Sequence, residues 1–387
     1  MLLYPQPFDH FPSHWLDEVT QMTDLKDLVQ LEKKYHQGLI KDTELYHFYE
    51  EIEELTHFPQ PAFSPPPMPE ERHIWLKIVP KKQHEIKKLA PLINHYYHSH
   101  AIERMIDIGG GVGLFSQRLT HAYQLKITSL DMNKELQESG KKRYLKNAIG
   151  EKKLEYKQVT VSDSDPLFLN ELSPQVMTVG LHTCGPLAVS QILASAAKSV
   201  RSIVNFGCCY LKLSEQGHDQ NISQFAKSFA SPLIMNQFAL TLACGPHRKI
   251  SHHGVAFKQV VKHYRYGLHI LLVELYPEYQ LTTFGNSPTK VYDGDFANYV
   301  TAQFQKLSLT LKHTAEELNA FYCEKLFLIK RMYAAGFIRD ALSRVLEVYL
   351  LLDRAIYLEE KGYSVEILEV FDEEISPRNL GIFAHSK

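Results

Sequence analysis

Between residues 104 and 206 short apolar runs alternate with stretches of helical period. Arg104–Ile108, Lys126–Leu130, Leu154–Val161, Val176–Leu181 and Ser202–Phe206 read as strands. Leu114–Tyr123, a segment running through Lys146, and Leu187–Ala197 read as helices between them. Repeated β-α units of this length predict a parallel, doubly wound sheet. The flanks have a different pattern. Over residues 1–62 Leu25, Leu28, Leu31 and Tyr35 share one helical side, and Leu45, Phe48, Ile52 and Leu55 another. The run Phe58-Pro-Gln-Pro-Ala-Phe-Ser-Pro-Pro-Pro-Met-Pro69 excludes regular helix or central strand, because proline fixes φ and removes a donor. At Val79-Pro80 a proline opens an amphipathic helix that runs to about Tyr97.

Beyond Tyr210 a polar loop over 211–222 gives way to mostly helical segments, one opened by Thr314-Ala-Glu-Glu317, a capping-box pattern. The clearest spans about Arg339 to Glu360, with Leu342, Val345, Val348, Tyr349 and Leu352 along one side, and stops at Gly362. Tyr363–Phe371 and Leu380–Ala384 return to strand character. The expected organisation is a helical N-terminal region with a proline-rich linker over 1–69, then an α/β domain over 70–387. That domain carries a helical insertion at about 211–361 before its last two strands. The chain has no internal repeat.

Composition changes this picture little. The chain has 387 residues, 44% hydrophobic and 22% charged, which suits an ordinary globular protein able to bury a substantial core. A net charge of −2 excludes whole-molecule attraction to nucleic acid or anionic membrane, leaving local patches. No apolar run approaches the roughly 20 residues that span a bilayer. The first residues lack the basic start and small-residue cleavage site of a signal peptide. Five cysteines, with Cys208 and Cys209 adjacent, form no disulfide framework. A cytoplasmic protein with reduced thiols is expected.

The chemistry centres on Met105-Ile-Asp-Ile-Gly-Gly-Gly-Val-Gly-Leu-Phe115, a strand, a tight turn and a helix start. Asp107 stands ahead of Gly109, Gly111 and Gly113. A dinucleotide fingerprint counted from Gly109 would want glycine where Leu114 stands, which disfavours a nicotinamide oxidoreductase. Acid-x-Gly-x-Gly-x-Gly instead resembles the S-adenosylmethionine (SAM) turn of class I methyltransferases; another nucleotide site and a plain glycine turn are the alternatives. Asp131, at the second strand's end, is placed to accept from both ribose hydroxyls, and Asp163, near the third strand's end, for an adenine amino group. In Lys81-Lys82-Gln-His84-Glu85, Lys82 or His84 could lie over the cofactor and meet its methionine carboxylate. A charged helix surface explains the same block.

A second set follows the fourth and fifth strands: His182-Thr-Cys184-Gly-Pro-Leu and Asn205-Phe-Gly-Cys208-Cys209-Tyr210. Neighbouring strands would bring His182, Cys184, Cys208, Cys209 and Tyr210 to the ligand-binding edge. Three readings stand. The set lines the methyl-acceptor pocket, with His182 orienting or deprotonating the acceptor. It binds zinc, although no known finger has this spacing, with Cys244, His247, His252 and His253 as further donors. Or the cysteines are small buried residues. The first is the reading adopted, with no metal assigned.

Several blocks occur in one order: Val79-Pro-Lys-Lys-Gln-His-Glu85, Asp-Ile-Gly-Gly-Gly-Val-Gly113, Leu181-His-Thr-Cys-Gly185, Val204-Asn-Phe-Gly-Cys-Cys-Tyr-Leu-Lys-Leu-Ser214 and Ile375-Ser-Pro-Arg-Asn-Leu380. The series resembles the methyltransferase-like protein 25 family, which includes the ribosomal RNA adenine dimethylase domain-containing proteins. It runs from about Val79 to the C-terminus, with a weaker echo at Trp15. The resemblance implies an α/β, Rossmann-like class I methyltransferase sheet, mostly parallel with a C-terminal antiparallel hairpin, and a large helical insertion. It implies SAM bound at Asp107, Gly109, Gly111, Gly113 and Asp131. In the family Cys-Gly is usually followed by Asp, and here by Pro186. The function expected is SAM-dependent methyl transfer, with RNA ranked slightly above protein as acceptor; the alternative is a SAM-binding scaffold without turnover. Lys141-Lys-Arg143 with Lys146, Lys152-Lys153, and the stretch from Arg248 through Arg265 could hold an RNA backbone, and solvated helix faces explain them as well. No membrane and no stable DNA binding are expected.

Overall fold

The structure, a computed structural model, describes residues 11–22, 39, 41–63, 65–69, 78–147, 153–215, 220–245, 252–280 and 287–387. The helix expected around Leu25 to Tyr35, and Lys152, His247 and Arg248, lie outside the described residues, as do the side chains of His252 and His253. The chain divides into two compact units. One comprises Met1–Leu55 with Lys249–Leu342, the other Thr56–Arg248 with Ser343–Lys387.

This grouping differs from the division expected at the proline-rich run. Phe58–Pro69 falls with the sheet, and the Pro59 carbonyl accepts the backbone N–H of Glu369 at 2.9 Å. A proline segment, poor in donors, still offers carbonyls that cap an edge strand. Residues 249–342 of the expected insertion fall with the N-terminal helices.

In the first unit Ser13–Gln21 and Glu44–Leu55 are helices. Trp15 packs on Phe48 with ring centroids 4.8 Å apart, and Arg331 pairs with Asp17. Leu45, Tyr49 and Ile52 form the buried face of Glu44–Leu55, while Leu55 is exposed. Helices His252–Leu275, Phe296–Lys306 and the first part of Ala315–Glu360 enclose an aromatic core that includes Tyr292, Phe296, Tyr299 and Phe304. The Thr314 capping box is formed reciprocally: Glu317 Oε2 accepts from Thr314 N at 2.8 Å, and Thr314 Oγ1 from Glu317 N at 3.2 Å.

The second unit is built on a seven-stranded sheet in the order β3-β2-β1-β4-β5-β7-β6. The strands are β1 Arg104–Ile108, β2 Ile127–Asp131, β3 Leu154–Gln158, β4 Val176–Cys184, β5 Ser202–Cys208, β6 Tyr363–Glu369 and β7 Leu380–Ser386. The first five run parallel, and β7 is antiparallel to both β5 and β6. Period-two alternation gives each face its own core. Met105, Met177, Val179 and Val204 face the Pro80–Ser99 and Leu114–Tyr123 helices through Ile86, Leu89, Phe115 and Leu119. Ile106, Ile108 and Ile203 face the other way, toward Val189 and Ile192 of the Pro186–Ala197 helix and Leu350, Leu351 and Leu358 of Ala315–Glu360. No helix among the described residues is long and apolar enough to cross a membrane.

Candidate active site

β1 pairs with β2 on one side and with β4 on the other, so strand order reverses there. The carboxyl ends of these strands flank the crevice where open α/β sheets bind ligands. The glycine turn occupies it. Gly109, Gly111 and Gly113 have φ of 66°, 57° and 67°, and Gly113 caps the Leu114–Tyr123 helix. A β-carbon at Gly113 would also meet the Tyr156 hydroxyl at 2.6 Å. The turn is braced from outside. Gln117 Nε2 donates to Val112 O at 3.0 Å and to the Tyr156 hydroxyl at 2.7 Å, and Gln137 Nε2 donates to Gly111 O at 2.8 Å. The turn's own amides are used internally as well: Gly110 N donates to Leu130 O at 3.0 Å and Gly113 N to Gly110 O at 2.8 Å.

Asp107 is 3% exposed and accepts from Ser116 Oγ at 2.5 Å. Burial pushes its carboxyl up to about 6, against the pull of Ser116 and Lys82. It braces the turn from within. Asp131 is half-buried at the end of β2; Oδ2 accepts from Gly111 N at 2.9 Å and Oδ1 from Asn133 N at 2.8 Å. A carboxylate offers about four lone-pair sites, so both oxygens can accept again. The exposed side chains of Met132 and Leu136 supply apolar surface beside it.

Asp163 sits elsewhere. β3 ends at Gln158, and Asp163 is exposed in a turn beyond it, where, after burial and Glu360, it helps push up the Tyr357 phenol. His84 is also turned away: its Nε2 accepts the Asp372 N–H of the β6–β7 loop at 3.0 Å. Of that helix's cations Lys82 is the one whose charge acts on Asp107. Burial lowers its pKa, while Glu85 and Asp107 act against that shift.

His182 stands two residues before the end of β4. The register with β5 slips between Leu181 and Thr183, so His182 is the extra residue of a bulge, with φ of 66°. A bulge re-aims its side chain. The ring meets Glu85, with Nε2 2.9 Å from Oε1. Glu85 is 1% exposed, accepts from Ser376 Oγ at 2.7 Å, and has Lys81 and Lys82 within 3.6 and 3.9 Å. Burial would raise its carboxyl, but His182, Ser376 and Lys82 outweigh that and hold it below the usual range. An ionised Glu85 fixes the Nε2–H tautomer and leaves Nδ1 as the basic nitrogen. Glu85 and Ser376 were not anticipated as site residues. The signal for Glu85 was present, an acid at helical spacing with the buried Leu89, Leu92 and Tyr96.

Cys184 and Cys208 stand opposite each other in the β4–β5 register with sulfurs 3.3 Å apart, and Cys209 is exposed beside them. The Cys208 thiol, with help from Lys212, draws the Cys184 thiol down to about 5, and Cys208 is driven up. Tyr210 does not join this group at the surface. It is 1% exposed, its hydroxyl donates to Gly207 O at 3.3 Å and Glu347 at 3.4 Å, and its ring lies under the Arg354 guanidinium. Glu347 in turn pairs with Arg344 and Arg378 at 2.9 and 2.7 Å. Tyr210 therefore ties the β5 loop to the core, and its place in an acceptor pocket is corrected to a buried one. Pro186 takes the first position of the Pro186–Ala197 helix, where a missing N–H is harmless.

Comparison with known proteins agrees with this geometry. Residues 81–216 match the family model described as a methyltransferase domain. The chain carries a class I methyltransferase domain. Two probable methyltransferase-like protein 25 sequences are similar to it. The human one is 26% identical over 227 residues, and the mouse one 27% identical over 224. Each alignment takes in 54% of this chain and 37% of the relative, so the chain spans well under half the length of these relatives. The cyclopropane synthase MmaA2 of Mycobacterium tuberculosis aligns over 95% of this chain and 100% of its own, with 12% identity and a TM-score of 0.26. The sheet order, with its C-terminal antiparallel pair, is that of the class I methyltransferase fold.

Proposed function

We propose that the protein transfers a methyl group from SAM to an acceptor presented at the carboxyl ends of β4 and β5. The observation that carries this reading is the turn at Gly109–Gly113 beside the half-buried carboxylate of Asp131, at the reversal point of a class I sheet. The crevice suits SAM: β-carbons are excluded where the turn must approach a ligand, carboxylate lone pairs face the ribose side, and apolar Met132 and Leu136 line it. Bound there, SAM supplies an electrophilic methyl on a sulfonium.

The chain's own residues do the rest. Asp131 accepts hydrogen bonds from ribose hydroxyls. Lys82 offers a cation to a carboxylate. His182, oriented by Glu85, takes the acceptor's proton at Nδ1.

For the acceptor, RNA is proposed ahead of protein. Exposed Lys141, Lys142 and Lys146 on the Lys134–Asn147 helix support it as phosphate contacts. The ribosomal RNA link is the narrowest form of this proposal. Tritiated methyl transfer into cell extract, pretreated with nuclease or with protease, tests it. Label abolished by nuclease is expected; label that survives nuclease and is lost to protease overturns the RNA assignment. SAM binding by calorimetry with no labelled product from any extract would leave a scaffold instead.

A further inference from the structure

The thiols of Cys184, Cys208 and Cys209 play no part in bracing the glycine turn or in the His182–Glu85 pair. Their sulfurs nevertheless lie within 4.8 Å of one another, and the Cys184–Cys208 pair at 3.3 Å. Thiolates bound to one tetrahedral zinc at about 2.3 Å stand roughly 3.8 Å apart. That value lies between the 3.3 Å of the closest pair and the 4.8 Å within which all three sulfurs fall.

The backbone is bent to produce this group. Successive side chains of a strand point to opposite faces, so Cys208 and Cys209 should diverge. Cys209 instead has φ of 50°, a left-handed conformation that a β-carbon disfavours, and its thiol returns to the side of its neighbour's. Cys184 is brought opposite Cys208 only after the bulge at His182. Gly185, at φ of 53°, then donates its N–H to Cys208 O at 2.8 Å and locks the two strand ends together. Packing of small apolar residues explains a buried Cys208 but not an exposed Cys209 held in a left-handed turn. Exposure rises from Cys208 through Cys184 to Cys209, so the group opens to solvent on one side. The Lys212 ammonium acts on Cys184 and the Lys82 ammonium on Cys208, which offsets the surplus negative charge of three thiolates around a divalent ion.

We propose that Cys184, Cys208 and Cys209 bind one soft divalent cation, zinc by preference, in an open three-thiolate site at the carboxyl ends of β4 and β5. Thiolates select zinc over magnesium or calcium. Three protein ligands with a fourth position left to solvent is the arrangement of zinc sites that polarise a bound group, whereas structural sites are closed by four. The sequence spacing resembles no finger because the sheet, not a local loop, assembles the ligands.

The test uses the full chain, purified under reducing conditions without a histidine tag. Elemental analysis should find one equivalent of zinc per chain, falling to background in both Cys184→Ser and Cys209→Ser with unchanged circular dichroism. Because the chain has 20 histidines, metal held elsewhere must be distinguished. Cobalt substitution does this: bound cobalt should give thiolate-to-metal charge transfer in the near ultraviolet, absent from Cys209→Ser, whose exposed position spares the fold. Zinc content that is the same in the variants and the parent overturns the proposal. So does a cobalt spectrum without charge transfer, or metal-free protein with a Cys184–Cys208 disulfide. None of these readouts depends on SAM binding or methyl transfer.

Discussion

Glu85 holds His182 at 2.9 Å from a helix that precedes the sheet, and three sequence blocks converge on its carboxylate: its own, that of His182, and that of Ser376. A buried acid with such partners fixes the orientation of the ring it holds. His182→Ala should lower turnover about 100-fold or more, the usual share of a positioned proton acceptor. Glu85→Gln, which keeps an acceptor for Ser376 but no charge for His182, should lower kcat by about tenfold or more with KM for SAM unchanged. Labelled-methyl kinetics separates the two parameters. A raised KM with kcat intact would place Glu85 in cofactor binding instead.

The glycine turn makes a sharper structural demand. Gly113→Ala puts a β-carbon at φ of 67° and 2.6 Å from the Tyr156 hydroxyl. A loss of about 1–3 kcal/mol is expected from the backbone alone, read as a lower urea midpoint, with weaker SAM binding. Adding Tyr156→Phe should not restore stability, since the ring's Cε1 stays 2.7 Å from the new carbon. The double variant also loses the hydroxyl that takes the Gln117 hydrogen bond, worth about 1 kcal/mol. Recovery in the double variant would show that the hydroxyl, not the backbone, sets the limit.

Alternation of period made the sheet legible: the Leu114–Tyr123 helix has the bounds its pattern predicts, and β1 to β7 fall where apolar runs stand. What period could not carry was the length of β4 and β5. They continue through Cys184 and Cys208 because each supplies the other's ladder, and the added residues, of which Thr183, Gly207 and Cys208 are buried, lack the aliphatic side chains that mark a strand in sequence. The Ala315–Glu360 helix was legible at its start, in the Thr314 capping box, and in its second half from Arg339, but not as one helix. Over 46 residues it serves two units, and its buried face shifts between Leu318 and Leu358, which smears a single stripe. At the site, glycines and strand-end acids stood out because their chemistry is local. Glu85, Ser376, Gln117 and Tyr156 act through contacts made by the tertiary fold, and His84 and Tyr210 look exposed in sequence until Asp372 and Glu347 claim them.

Asp131 joins the turn to the proposed ribose site. Asp131→Ala removes an acceptor for Gly111 N and Asn133 N together with those offered to a ligand. Hydrogen bonds to a charged group are worth about 1.5–3 kcal/mol each, so SAM affinity should fall at least tenfold by calorimetry. Asp131→Asn, which retains one accepting oxygen, should fall between the two. An unchanged dissociation constant in both would remove Asp131 from the cofactor site.

Asp107 gives the fold a pH signature of its own. Its carboxyl titrates at about 6 when folded, against about 3.9 in an unfolded chain. Between those values the folded chain holds a proton that the unfolded chain has released. The contribution to stability is therefore fully present below about pH 4 and is lost as pH rises through about 6. A two-unit shift corresponds to about 3 kcal/mol. Asp107→Asn keeps an acceptor for Ser116 and cannot ionise. Denaturant unfolding of the apo protein at a series of pH values should then show the parent losing about 3 kcal/mol relative to the variant between pH 4 and 7. Parallel curves would mean that Lys82 compensates the buried charge in full, and Asp107 would be ionised throughout.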